Sequence, residues 1–163
     1  MKISSLAQRG LILALIILIA DQVSKYFVLQ YLFERQAAVT GIEVTSFFNL
    51  VLVWNRGVSF GLFNHDAVLM PFLLMALAAV LVTMVLRWLL RAETQFEAIA
   101  FGLIIGGAIG NVIDRIRFGA VVDFLDFHAF GQHWPAFNVA DSAIVVGAGI
   151  ILYLWGLKGK KDA

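Results

Sequence analysis

The feature that most constrains this chain is a run of twenty uncharged, largely apolar residues at positions 67–86. About 20 such residues are enough to cross the hydrocarbon core of a bilayer as a helix. The composition agrees, since 61% of the residues are hydrophobic and 14% are charged, against about 45–50% and about 25% in soluble domains. A soluble globular domain and a disordered chain are therefore both excluded.

Three further segments have the same character, although polar residues shorten or interrupt them. The first apolar run, 11–20, meets Asp21 and then resumes. No small-residue cleavage site follows it, so we interpret it as a retained helix rather than a secretory signal peptide. We predict four membrane-spanning helices, at about 10–32, 67–88, 96–114 and 141–158.

An even number of spans places both termini on one side of the membrane. Seven Lys and Arg residues then lie on that side and five on the other, so the positive-inside rule predicts cytoplasmic termini. The connections at about 33–66 and 115–140 are then extracytoplasmic. The β-branched and aromatic run 47–55 in the first of them predicts a short strand.

The predicted fold is an all-α polytopic membrane protein, with a small extracytoplasmic β element and a short extracytoplasmic helix or loop. We find no internal repeat and no low-complexity linker, so residues 1–163 are treated as a single domain. The net charge of +1 excludes a strongly basic nucleic-acid-binding surface.

Glycines on two faces of the third span leave those faces without side chains at several positions. Small residues at four-residue spacing let helix backbones approach closely in lipid, which predicts a helix–helix contact at residues 102, 106 and 110. Gly107 shares a neighbouring face with Asn111 and Arg115. That face suits a ligand groove, and helix packing alone also explains it.

Ionisable side chains at membrane depth are costly and often functional. Asp21 and Lys25 are one helical turn apart, which favours a structural ion pair. For Asp114, at the end of the third span, capping or pairing is the favoured interpretation. Arg115 fits an interfacial anchor and a functional group equally well.

Asp123 and Asp141 differ from these residues because each adjoins an apolar segment at the same end of an antiparallel helix pair. Two carboxylates close together in an apolar setting share one proton, so one can act as a base toward water while the other polarises a carbonyl. That is aspartic protease chemistry. The structural alternative makes Asp141 a helix N-cap and Asp123 a solvated interfacial carboxylate. Asp126, three residues further on, is expected to face the lipid headgroups.

The sequence lacks the residues or motifs that other common catalytic sites require. The chain has no cysteine, and its three histidines, at positions 65, 128 and 133, form no HExxH motif and fall in expected surface loops. No Gly-rich phosphate-binding loop occurs. We therefore expect no metal and no cofactor.

Five ordered blocks span most of the chain: 21–25 (DQVSK), 55–60 (NRGVSF), 106–115 (GGAIGNVIDR), 119–124 (GAVVDF) and 137–141 (FNVAD). Together they resemble the bacterial lipoprotein signal peptidase family, also called signal peptidase II. The resemblance implies an inner-membrane aspartic endopeptidase that cleaves diacylglyceryl-modified prolipoproteins on the N-terminal side of the lipidated cysteine. It also implies a periplasmic active site and inhibition by globomycin.

Carried over position by position, the resemblance makes Asp123 and Asp141 the catalytic pair. It assigns substrate binding to Asn55, Gly107, Asn111, Arg115 and Asn138, with Asp21 and Lys25 nearby. The expected partners are prolipoprotein substrates, membrane lipid and a globomycin-type inhibitor, with no nucleic acid, and the chain is expected to be a monomer.

Two other classes of function remain open at this point. A small proton- or ion-coupled carrier would use Asp21, Asp123 and Asp141 to relay charge. Transporters usually show internal repeats and polar groups near mid-bilayer, whereas the carboxylates of this chain cluster toward one face. A structural or assembly subunit would tolerate substitution of both Asp123 and Asp141.

Overall fold

The structure is a computed structural model that describes residues 3–34, 41–57 and 70–159. Within these ranges it contains four α-helices and four β-strands. The helices are α1 (Ser5–Glu34), α2 (Met70–Leu89), α3 (Gln95–Phe118) and α4 (Val139–Gly159). The strands are β1 (Gly41–Thr45), β2 (Phe48–Asn55), β3 (Val121–Ala129) and β4 (Gln132–His133).

All four helices are long and apolar enough to cross a membrane, as the sequence predicted. Their outer faces carry large apolar side chains that are more than half exposed, such as Ile12, Phe72 and Val145. Such faces are solvated by lipid tails in a bilayer, so their exposure needs no further partner. Residues 67–69 of the second predicted span lie outside the described residues.

Helix α3 is the centre of the bundle and contacts each of the other three helices. The core around it combines small side chains, among them Ala7, Ala14 and Ala98, with larger ones such as Leu89 and Phe101. Small residues allow close backbone approach, which drives helix association where no water can be expelled.

Two of the glycines with four-residue spacing form the predicted helix–helix contact. A Cβ atom added to Gly102 would lie 2.5 Å from the carbonyl oxygen of Gly10, and one added to Gly106 would lie 2.5 Å from that of Ala14. The third, Gly110, instead lets the Asp21 carboxylate approach the helix, at 2.6 Å from the added Cβ.

Side chains and backbone geometry fix both ends of α3. Thr94 accepts the Glu97 N–H while the Glu97 carboxylate accepts the Thr94 N–H, which is a capping box. At the other end, Gly119 adopts a φ of 70°, where glycine is favoured, and its N–H donates to the Arg115 carbonyl. The chain therefore turns sharply from α3 into β3.

The strands form one antiparallel sheet in the order β1-β2-β3-β4. Strand β2 confirms the strand predicted at 47–55. The term all-α is too narrow, because β3 occupies the connection after α3 and pairs with β2 from Phe48 opposite Phe127 to Asn55 opposite Val121. The start of β3 is buried on both faces, so it lacks the polar–apolar alternation that identifies a strand in sequence.

A glycine-to-alanine pair tests the close packing of α1 on α3. Gly106→Ala should destabilise the bundle by about 1–3 kcal/mol, because the new methyl group collides with the Ala14 carbonyl. The matched control is Gly149→Ala, since nothing lies within 4 Å of a Cβ at Gly149. The control should leave stability unchanged or raise it by up to about 1 kcal/mol through helix propensity. Thermal unfolding in detergent measures both, and equal effects would contradict the packing assignment.

Candidate active site

Asp123 and Asp141 lie in one hydrogen-bonded cluster, where the turn from α3 into β3 meets the start of α4. Asn138 connects them: its Nδ2 donates to Asp123 Oδ1 at 2.7 Å, and its backbone N–H donates to Asp141 Oδ2 at 3.3 Å. The side chain of Asp123 is only 1% exposed, and that of Asn138 is fully buried. The structure therefore brings the two acids together, while their catalytic role stays a prediction.

The start of α4 explains the orientation of Asp141. Asn138 Oδ1 accepts the Asp141 N–H at 2.9 Å, and Asp141 returns a bond to the Asn138 N–H. This is the reciprocal pattern of a capping box, with Asn138 as the N-cap. The alternative that Asp141 itself caps the helix is therefore wrong. Its second oxygen, Oδ1, accepts from Asn111 Nδ2 at 2.7 Å.

The three asparagines implicated by the resemblance converge on these two acids. Asn55 Nδ2 donates to Asp123 Oδ2 at 2.9 Å, from the end of β2. Asn138 also donates to Asn111 Oδ1 at 3.3 Å, which links the partners of the two acids. Each carboxylate thus accepts hydrogen bonds at both of its oxygens.

The surroundings of Asp123 raise its pKa above that of an ordinary aspartate. Burial raises the pKa of Asp123 to about 6, and the negative charge of Asp141 adds to the increase. Hydrogen bonds from Asn55 and Asn138 and the positive charge of Lys25 oppose it. A carboxyl group with this pKa exchanges its proton close to neutral pH, as an acid–base catalyst requires.

A buried ion network lies directly behind the cluster. Lys25 Nζ is 2.8 Å from Asp21 Oδ2 and 2.7 Å from Asp114 Oδ2, and all three side chains are almost completely buried. The predicted Asp21–Lys25 pair is confirmed, and Asp114 is its second acidic partner. Lys25 also donates to Asn111 Oδ1 at 3.3 Å, which joins the network to the asparagines.

Each acid of this network holds the backbone next to one of the two paired aspartates. Asp21 Oδ1 accepts the N–H of Ala140, the residue before Asp141, at 3.0 Å. Asp114 Oδ2 accepts the N–H of Val122, the residue before Asp123, at 3.0 Å. A single lysine is therefore the shared ion-pair partner of the two carboxylates that position both members of the pair.

Gln22 is a member of this network that the sequence reasoning did not single out. Its Nε2 lies 3.2 Å from Asp21 Oδ2, 3.0 Å from Asp114 Oδ1 and 3.3 Å from the Gly110 carbonyl. The available signal was its place beside Asp21 in the first block of the resemblance.

Gly107 and Arg115 differ in how open they are to a ligand. Gly107 is buried, and a Cβ there would collide with the Ala140 carbonyl, which favours the helix-packing interpretation. Arg115 is half-buried, donates to the Asn111 carbonyl at 3.3 Å, and lines a cavity of about 540 Å³ together with Arg56. Substrate binding by either residue stays a prediction.

Asp126 does not face the lipid headgroups as expected, and that prediction is wrong. It is 7% exposed, accepts a hydrogen bond from Asn49 at 2.9 Å, and has His133 Nδ1 at 2.9 Å. Burial alone raises the pKa of Asp126, but the hydrogen bonds from His133 and Asn49 outweigh it and hold that pKa below its usual value. The cause of the error is the pairing of β2 with β3, which places Asn49 opposite Asp126.

The two histidines within the described residues do not form a metal site with these acids. His128 and His133 lie on strands rather than loops, with their rings stacked 4.8 Å apart, and His65 is outside the described residues. Across residues 3–34, 41–57 and 70–159, no group of three or more His, Cys, Asp or Glu side chains is arranged to hold a metal ion.

The sequence pattern of one protein family, described as signal peptidase (SPase) II, matches residues 13–156. The chain belongs to the signal peptidase II family. Its relatives include lipoprotein signal peptidases from Nitrobacter hamburgensis, 45% identical over 88% of this chain and 89% of the relative, and from Rhodopseudomonas palustris strain TIE-1, 46% identical over the same shares. A third, from Burkholderia vietnamiensis, is 45% identical over 86% and 83%.

A solved structure gives the same result at the level of the fold. A bacterial membrane enzyme determined by the in meso method at 2.3 Å resolution superposes with a TM-score of 0.75 and is 27% identical, over 94% of this chain and 90% of that one. The protein is thus an aspartic peptidase, a hydrolase that processes lipoproteins by removing their signal peptides. It is a multi-pass bacterial membrane protein of the signal peptidase II family.

Removing Lys25 tests the buried ion network. Lys25→Met should destabilise this signal peptidase by about 3–5 kcal/mol, because two buried carboxylates lose their counter-charge. The matched variant combines Lys25→Met with Asp21→Asn and Asp114→Asn, and it should recover much of the loss because no uncompensated charge remains. Unfolding in detergent measures both. A triple variant less stable than Lys25→Met alone would contradict the charge-compensation account.

The raised pKa of Asp123 also predicts a pH dependence of stability. The folded protein binds this proton more tightly than the unfolded chain, whose pKa is 3.8. The free energy of unfolding should therefore fall as pH rises from about 4 to about 6, by at most about 3 kcal/mol, and stay lower above that range. Asp123→Asn should remove this dependence in unfolding measurements between pH 4 and pH 8. Asp126→Asn is the control and should keep the dependence, because the lowered pKa of Asp126 places its titration below this range. A stability curve for Asp123→Asn that parallels that of the wild type would contradict the assignment.

Proposed function

We propose that this signal peptidase cleaves diacylglyceryl-modified prolipoproteins on the N-terminal side of the lipidated cysteine, and that Asp123 and Asp141 activate the attacking water. The observation that carries the proposal is the bridge through Asn138, which holds both carboxylates in one cluster, with Asp123 buried and Asp141 half-buried. Paired carboxylates in an apolar setting share a proton and divide the acid and base roles between them.

The two acids take different parts in this mechanism. Asp141 accepts a proton from water, whose oxygen attacks the carbonyl carbon of the scissile bond. Asp123 holds the shared proton and gives it to the carbonyl oxygen, because burial favours its neutral form. The tetrahedral intermediate then collapses, and the peptide nitrogen leaves with a proton returned by the pair.

The asparagines and Arg115 bind the substrate backbone. The scissile bond lies where a transmembrane signal helix meets the membrane surface, so the peptide groups there must find partners other than water. Asn55, Asn111 and Asn138 already point their carboxamides at the two acids. Arg115, on the wall of the adjoining cavity, orients a substrate carbonyl by a charge-assisted hydrogen bond.

The proposed setting is the bacterial inner membrane, with both termini cytoplasmic and the active site on the periplasmic side. The distribution of Lys and Arg, seven against five, supports this orientation. The substrate reaches the site by lateral movement, its acyl chains remaining in lipid. We further expect a monomer that is blocked by globomycin.

Substitution of either acid tests the catalytic assignment. Asp123→Asn and Asp141→Asn should each lower cleavage by a factor of roughly 10²–10⁴ or more, since each has its own proton-transfer step. A gel-shift assay with a purified diacylglyceryl-modified preprolipoprotein measures the rate. The matched control is Asp126→Asn, a third carboxylate on β3 that bonds to Asn49 and His133 rather than to the cluster. Asp126→Asn should retain near-normal activity. All three variants should remain folded.

A near-normal rate for either Asp123→Asn or Asp141→Asn would show the assignment to be wrong. The same assay with a substrate that lacks the diacylglyceryl group tests the proposed requirement for lipid, and cleavage at an equal rate would contradict it. Uptake driven by a pH gradient in proteoliposomes is the measurement that would favour the carrier alternative.

A further inference from the structure

A second cavity, of about 240 Å³, lies at the end of the bundle opposite the two paired aspartates, where α2 turns into α3. Three aromatic side chains form its apolar wall: Trp88, Phe101 and Trp155. Arg91, Glu93 and Glu97 are the charged residues that line it. Nothing in the cleavage mechanism uses these residues.

The aromatic wall joins three helices. The ring of Trp88 on α2 lies 6.0 Å from that of Phe101 on α3 and 5.9 Å from that of Trp155 on α4, the latter edge to face at 79°. Trp88 and Trp155 are 41% and 48% exposed. Tryptophan at the end of a membrane-spanning helix is typical of the lipid headgroup level.

The charged side chains of this cavity are not equivalent. The Glu97 carboxylate is occupied, because it accepts the N–H groups of Glu93 and Thr94 in the capping box. Arg91 and Glu93 are exposed, and among the described residues neither forms a side-chain hydrogen bond or an ion pair, even with the other. The cavity thus presents one cation and one anion beside an aromatic wall.

We propose that this cavity binds the headgroup of a zwitterionic phospholipid, a phosphate ester of ethanolamine. Arg91 binds the phosphate, since a guanidinium group can donate two parallel hydrogen bonds to two phosphate oxygens. Glu93 and the faces of Trp88 and Trp155 bind the ammonium group. A volume of about 240 Å³ has room for this headgroup, since phosphoethanolamine has only about eight non-hydrogen atoms.

Free phosphoethanolamine has the same chemistry, but the position of the cavity favours the lipid. Leu90, also exposed, and Trp155 continue the apolar outer surface of the spanning helices up to the cavity. Acyl chains attached to a headgroup in the cavity have that surface to lie against. A bound headgroup also bridges α2 and α4 beside the Trp88–Trp155 contact, so it stabilises the bundle.

Native mass spectrometry of the full chain in detergent tests this site, with phosphatidylethanolamine, phosphatidylglycerol and free phosphoethanolamine added separately. Phosphatidylethanolamine should bind most tightly and raise the unfolding temperature. Arg91→Gln and Glu93→Gln should each weaken that binding about tenfold, the effect of losing one charge-assisted hydrogen bond. The matched control is Arg87→Gln, an exposed arginine one turn earlier on α2 that does not line the cavity, and it should bind as the wild type does.

Three results would overturn the proposal. If phosphatidylglycerol binds as tightly as phosphatidylethanolamine, and only Arg91→Gln weakens the binding, the cavity is a simple anion site. Free phosphoethanolamine binding as tightly as the lipid would remove the role of the membrane. An equal loss in Arg87→Gln would indicate general surface charge. Unfolding of each variant without added lipid checks that the fold is intact, and cleavage activity is independent of all these readouts because the cavity lies at the far end of α3.

Discussion

A charge inside a membrane protein must find an opposite charge within the protein itself, and two acids share Lys25 as that partner. Asp21 and Asp114 lie 2.8 and 2.7 Å from its ammonium group, with almost no solvent exposure. Asp21 accepts the Ala140 N–H, just before Asp141, at its other oxygen, and Asp114 accepts the Val122 N–H, just before Asp123, at the oxygen that also pairs with Lys25. Because the unpaired state of such charges is so costly, the network holds α1, α3, β3 and α4 in one arrangement.

The candidate active site of this signal peptidase rests on that arrangement. Asn138 caps the start of α4 and bonds to both paired aspartates, so one residue links Asp123 on β3 to Asp141 on α4. Asn55 arrives from the sheet and Asn111 from α3. Protein carboxamides replace water around the pair, which leaves burial as the dominant influence on the proton of Asp123.

Much of this was predictable from the sequence because lipid imposes simple rules. Spanning helices need long apolar runs, and ionisable residues within or beside them need a partner or a function. Those rules pointed to the four helices, the pair of Asp21 with Lys25, and Asp123 with Asp141. Four-residue glycine spacing predicted the contact of α1 with α3, which Gly102 and Gly106 form. The roles in substrate binding came from the resemblance rather than from these rules.

What the sequence by itself determined is the set of groups that cannot face lipid unpaired, since that follows from residue type and position along each span. Only the tertiary structure decided which partner each group takes. Asn49 meets Asp126 because β2 pairs with β3 across a long stretch of chain. Lys25 finds Asp114, and Asn138 rather than Asp141 caps α4. Such contacts depend on register and helix rotation, and neither is encoded in a local pattern of apolar and polar residues.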